Sequence, residues 1–212
     1  MYTFFMPPDT QINFSDAHQD RSKKTLEDLL EAAFTIVEAA DPSSFNSRNL
    51  ANKSGYAQGT LNKRLGAIEN VFVWAINKGR DGKLQDVMDL ITRFDPLSPV
   101  SVFAEEVVSL SFSNIGIVGP KVMRYYESKV FKRDGFTIES LNFTDIFVEP
   151  YLAMVDANRT NTFRKISHEE TRLLFKLLQN LVERPFINDD PIAGKSEHRQ
   201  IAIDVLIRLL GQ

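Results

Sequence analysis

The sequence predicts an all-α protein, with a head of three to four short helices followed by a larger helical body. Three observations point there. Apolar residues recur at i, i+3, i+4 and i+7, the spacing that lines one face of a helix. No segment alternates apolar and polar residues beside a hairpin turn signal, so strands are not expected. Clusters of Pro, Gly, Asn and Asp interrupt the periodic segments at helix-length intervals.

The first helix follows from the stripe Leu26, Leu29, Leu30, Ala33, Ile36, Val37 and Ala40, with Glu27, Asp28, Glu31 and Glu38 on the other side. Asp41-Pro42-Ser43-Ser44 ends it. Two short helices follow, separated by Ser54-Gly55-Tyr56. The run Val71-Phe72-Val73-Trp74-Ala75-Ile76 supplies a fourth helix, expected to end near Gly79. The head therefore covers residues 21–80 and the body 81–212. In the body, helices are expected near Lys83 to Phe94, Pro99 to Ser113, Pro120 to Lys132, Thr137 to Ala157, His168 to Glu183 and Ser196 to Leu210, with a break at Asn114 to Gly119. Pro150 falls inside the fourth of these and should kink or split it.

Composition narrows the function classes. The 212 residues suffice for two cores, and 43% hydrophobic with 25% charged residues is ordinary for a globular chain, which sets disorder aside. No run approaches the ~18 consecutive apolar residues of a membrane span, so no membrane partner is expected. Met1 to Asp20 contains Pro7 and Pro8 and no basic leader, and reads as a flexible extension and not as a secretion signal. The absence of cysteine removes disulfides and thiolate chemistry and fits a cytoplasmic protein.

Charge is unevenly spread. The whole chain carries −3, yet between Pro42 and Arg80 six basic residues (Arg48, Lys53, Lys63, Arg64, Lys78, Arg80) face the single acid Glu69, a local +5. Attraction to phosphate depends on charge at the contact and not on the whole-chain sum.

The two short helices carry the marks of a helix-turn-helix. Their close crossing requires a small residue, here Ala51, and the turn requires positive φ, here Gly55, with Leu61 plugging the corner. Asn46 or Ser47 suits the first N-cap, and Leu50 supplies the buried face. The stretch Leu29-Leu30-Glu31-Ala32-Ala33, through Phe45-Asn46-Ser47-Arg48-Asn49-Leu50-Ala51, to Gly55-Tyr56-Ala57-Gln58-Gly59-Thr60-Leu61 resembles, without a gap, the head of tetracycline-repressor-like (TetR) regulators. That family has a paired-alanine first helix, an Arg-x-(Ile/Leu)-Ala second helix and a Gly-Thr-Leu recognition helix.

The resemblance implies a homodimeric DNA-binding regulator, expected to be a repressor, whose operator contacts come from Arg48, Tyr56, Ala57, Gln58, Thr60, Asn62, Lys63 and Arg64. Leu61 and Leu65 should face inward. Gln58 can pair with adenine in bidentate fashion, and Lys63 can approach guanine or a phosphate. Three positions depart from the family: Asn62 replaces its usual tyrosine, Leu65 its phenylalanine, and Ile68 the lysine that opens its fourth helix. Ala57 stands where the recognition helix usually has a serine cap. These departures leave open a second reading, a helical interaction protein of the same fold with weakened or lost sequence-specific DNA binding.

In the body, the resemblance implies a pocket for a small-molecule effector, with Tyr125, Phe131, Phe143, Phe147 and Tyr151 as candidates; aromatic residues at helical spacing equally suit plain core. The segment Ile201 to Leu210 is apolar almost all round, so it needs cover on two sides. With the leucine stripe of the preceding helix it suggests a dimer interface through Leu174, Leu178, Leu181, Ile203, Val205, Ile207 and Leu210. Ser167-His168-Glu169-Glu170 has the form of a capping box. No cofactor or metal is expected, because His18, His168 and His198 are far apart and match no metal pattern. No phosphate loop, G-x-S-x-G elbow or S-x-x-K motif is present, so no enzyme is expected.

Overall fold

A computed structural model describes residues 20–130 and 144–212. Among these residues it has nine α-helices: α1 (Asp20–Glu38), α2 (Ser47–Ser54), α3 (Gln58–Leu65), α4 (Ile68–Arg93), α5 (Val100–Val118), α6 (Pro120–Val130), α7 (Val148–Ala157), α8 (His168–Ile187) and α9 (Ser196–Leu210). The chain divides into two compact units, one drawn from residues 1–82 and 117–140, the other from 83–116 and 141–212. Helix α6, expected from the sequence in the body, thus belongs to the first unit. The expected N-terminal extension lies outside the described residues, apart from Asp20.

In the first unit the stripe of α1 faces inward: Leu29 and Ala33 are fully buried, and Ala32, Ile36 and Val37 nearly so. Leu50, Leu61, Leu65, Phe72 and Ile76 close the core from α2, α3 and α4. Phe45, in the link before α2, stacks on Phe72 at 4.9 Å, and Tyr125 of α6 meets Phe45 edge-on at 5.0 Å. Aromatic pairs in these geometries add about 0.5–1.5 kcal/mol beyond the area they bury.

Helix α4 does not stop near Gly79, nor does a separate helix begin at Lys83. One helix of 26 residues runs through both Gly79 and Gly82. A glycine costs a helix about 1 kcal/mol relative to alanine but removes no hydrogen bond. Val73, Ile76, Leu84, Val87 and Ile91 keep one helical register across both glycines, so helix formation continues. Likewise α5 runs on to Val118, and the expected break at Asn114 to Gly119 contracts to Gly119 at φ +75°.

The second unit packs the end of α4 with α5, α7, α8 and α9 around Ile91, Phe103, Val108, Tyr151, Phe175, Ala202 and Leu206. Of the expected helix from Thr137 to Ala157, residues 137–143 lie outside the described residues. A 3-10 turn spans Thr144–Phe147, and α7 begins at Val148 with Pro150 in its first turn, where a missing N–H leaves no hydrogen bond unmade. Ser167 caps α8, its hydroxyl accepting the Glu170 N–H at 3.2 Å. The box is only half formed, because the Glu170 carboxylate pairs with Arg164 at 2.6 Å. Arg164 also donates to the Leu209 carbonyl at the end of α9, a cation placed where the helix exposes unpaired acceptors.

Helix α8 continues past Glu183 to Ile187 with Pro185 inside it. A proline there offers no N–H to the Leu181 carbonyl four residues back. His198 of α9 supplies the missing donor, its Nε2 lying 2.9 Å from that carbonyl. Because a carbonyl only accepts, Nε2 carries the proton; Nδ1 then accepts the Gly194 N–H at 3.3 Å. The ring is 2% exposed, packed against Phe112 and Phe186.

Candidate nucleic-acid interface

The site is built from α2, the turn after it, and α3. Asn46 is the N-cap of α2, its side-chain oxygen accepting the Asn49 N–H at 3.0 Å. Gly55 ends α2 at φ +75°, its N–H donating to the Ala51 carbonyl at 2.9 Å. Leu50 and Leu61 are fully buried and Leu65 nearly so, which fixes the inward side of α3. Its N-cap, Ala57, makes no side-chain capping bond. A second turn, which no motif in the sequence marks, lies at Gly66, which joins α3 to α4 at φ +61°, a conformation that glycine alone adopts cheaply.

Of the expected contact residues, Arg48, Ala57, Gln58, Asn62 and Lys63 are exposed, while Thr60 and Arg64 are half-buried. Tyr56 is placed differently. It is half-buried, and its hydroxyl donates to the Asp28 carboxylate of α1 at 2.7 Å, which braces the start of α3 against α1. Asp28 was legible only as one of several acids on the polar side of α1. No acid lies between Pro42 and Ile68. The nearest, Asp41 and Glu69, are already engaged. Hydrogen bonds from Ser43 hold the Asp41 carboxyl below its usual range, and Glu69 pairs with Lys129 of α6 at 3.5 Å. Lys78 lies over the rings of Phe34 and Trp74, 5.3 and 5.2 Å from their centroids, an arrangement that joins α1 to α4.

The five expected pocket residues do not fall in one unit. Tyr125 belongs to the first, beside Phe45; burial and the nearby Glu69 push its phenol up to about 12. Phe131 and Phe143 lie outside the described residues. Phe147 and Tyr151 are core residues of the second unit, with Tyr151 fully buried between Phe103 at 5.6 Å and Phe175 at 5.2 Å. Among the described residues the Tyr151 hydroxyl has no hydrogen-bond partner, and burial raises its pKa.

The expected interface residues also separate. Ile203 and Leu210 are buried in the second unit's own core, and Leu174, Leu178, Leu181 and Ile207 pack partly against it. Val205 lines an apolar groove between α8 and α9, along with Leu174, Leu177, Leu178 and Leu209. On α8 and α9 the exposed large apolar side chains are Leu173, Leu177 and Ile201, at 58%, 50% and 40% exposure. Periodicity alone left out these three, because a stripe wide enough for two surfaces does not say which edge belongs to which.

No family model matches the sequence, and no curated protein matches it either. Solved structures do match. The chain is similar to multidrug binding protein EbrR complexed with imidazole, at TM-score 0.58 and 17% identity, over 91% of this chain and 94% of that one. It is similar to a TetR family member from Streptomyces coelicolor A3, at TM-score 0.54 and 16% identity, over 88% of this chain and 98% of that one. A third structure, described as the molecular basis for control of antibiotic production by a bacterial hormone, matches at TM-score 0.59 and 16% identity, over 89% and 98% of the two chains. Among the described residues no helix is long and apolar enough to cross a membrane. With its two helical units and its helix-turn-helix, the chain has the all-α fold of TetR-family transcriptional regulators.

Proposed function

We propose that this protein is a homodimeric cytoplasmic regulator that reads double-stranded operator DNA with α3, represses the genes it controls, and is released by a small effector. The observation that carries this reading is the outward side of α3. It presents Gln58, Asn62 and Lys63 to solvent with no acid from Pro42 to Ile68, on a helix whose opposite side is locked by Leu61 and Leu65. Gln and Asn offer the donor and acceptor pair that matches an adenine edge, and Lys63 adds charge for guanine or phosphate. Dimerisation is supported by Leu173, Leu177 and Ile201, whose exposure on adjacent helices calls for cover. Two heads would then address half-sites about 34 Å apart. An effector site in the second unit is supported by the unpartnered Tyr151 hydroxyl amid Phe103 and Phe175, and EbrR is itself described as multidrug binding. Repression follows the family resemblance.

The test is a set of binding isotherms against genomic fragments at several salt concentrations. Some fragment should be preferred over competitor DNA, and Lys63→Ala should weaken binding and reduce the salt slope by about 1. A folded wild type that prefers no fragment would instead favour an interaction protein of the same fold, the outcome to which Asn62, Leu65 and Ile68 point.

A further inference from the structure

We infer that Gly59 sets how closely α3 approaches its DNA, an inference that rests on the DNA-binding reading above. Gly59 is the second residue of α3 and is exposed. It lies one helical turn from Lys63, on the side opposite Leu61 and Leu65. Glycine inside a helix is unfavourable relative to alanine, so its presence asks for a reason.

The chain itself supplies none. Gly55 and Gly66, at either end of α3, have positive φ, whereas Gly59 does not. A Cβ built on Gly59 would meet no atom within 4 Å. Neither backbone conformation nor internal packing therefore excludes a side chain there, and on the exposed outward side of α3 whatever such a side chain would meet lies outside the molecule. A B-DNA major groove is about 12 Å wide and a helix with its side chains about 10–12 Å across, so the side chains on the outermost line decide how deeply the helix seats. Without one at position 59, the backbone of α3 can touch the groove directly. Gln58, Asn62 and Lys63 then reach base edges and phosphates from a short distance. A methyl group at position 59 would hold the helix away and lengthen all of those contacts together.

The probe is a duplex enriched from a random-sequence pool by the full-length wild-type protein, titrated by fluorescence anisotropy at fixed salt. Gly59→Ala is expected to raise the denaturation midpoint, since alanine favours the helix, yet to weaken binding roughly tenfold or more, the size of one good base contact. Gly59→Leu should weaken it further. Gly82→Ala is the control, because a Cβ there also meets nothing within 4 Å and the residue lies in α4, away from the proposed interface. It should raise the midpoint and leave affinity unchanged. Equal affinity of wild type and folded Gly59→Ala overturns the inference while leaving the DNA-binding reading in place. Failure of the wild type to enrich any duplex overturns that reading, and the role of Gly59 with it.

Discussion

Replacing His198 with alanine should be among the most destabilising single changes in the second unit, and the structure allows its parts to be separated. The imidazole donates to the Leu181 carbonyl at 2.9 Å, an acceptor that Pro185 leaves without its helical partner. Loss of the donor leaves that carbonyl unsatisfied, at about 1–3 kcal/mol. Removing the ring from beside Phe112 and Phe186 adds about 2–3 kcal/mol, below the value for a buried phenylalanine because imidazole is smaller and polar. The Gly194 N–H contributes little, since Gly194 is exposed and water can replace Nδ1. The sum is about 3–6 kcal/mol. Pro185→Ala returns an N–H to the Leu181 carbonyl, so His198→Ala should cost about 1–2 kcal/mol less in that background. Urea denaturation of the wild type, both single variants and the double variant gives the cycle. Protein concentration must be fixed, because association shifts the midpoint. Additivity within about 0.5 kcal/mol would refute the shared carbonyl, and with it the claim that α9 repairs a defect in α8.

Three further outcomes follow from the geometry. Leu177→Glu places a charge on the exposed groove edge and should give folded monomer by sedimentation, whereas Ile203→Glu buries an unpaired charge at 9% exposure and should fail to fold; a wild type that is monomeric at micromolar concentration removes the interface altogether. Gly55→Val forces a β-branched residue to φ +75° and should cost the head about 2 kcal/mol, seen as faster hydrogen exchange across α2 and α3, while unchanged exchange would mean that the turn tolerates a side chain. Burial raises the carboxyl pKa of Asp81, partly offset by Arg80. Its charged form is therefore disfavoured by folding, a penalty fully present above the folded pKa and absent below the unfolded one near 3.9. Asp81→Asn should therefore stabilise at neutral pH, with the gain fading as pH falls through the carboxylate range; a gain that is constant with pH would assign it to packing.

The head was legible residue by residue because its constraints are local. Asn46 caps within three residues, Gly55 answers to its own φ, and Leu50, Leu61 and Leu65 are inward in any packing of two short helices on a third. The Ser167 cap of α8 and the apolar periodicity of α8 and α9 are local in the same sense. What the sequence could not assign were contacts between residues distant along the chain: Tyr56 with Asp28, Arg164 with Leu209, and His198 with the carbonyl freed by Pro185. The full lengths of α4 and α5 depend on tertiary packing for a related reason. A glycine at position 79 weakens a helix by an amount that packing on either side of it outweighs, and that packing exists only in the folded chain. The sequence by itself determined the helical class, the turn at Gly55 and the basic, acid-free outward side of α3. Only the tertiary structure decided that α6 joins the first unit, that Ile203 and Leu210 belong to the core while Leu173, Leu177 and Ile201 face out, and that Tyr56 turns its hydroxyl to α1, because helical periodicity says which residues share a face and not what that face meets.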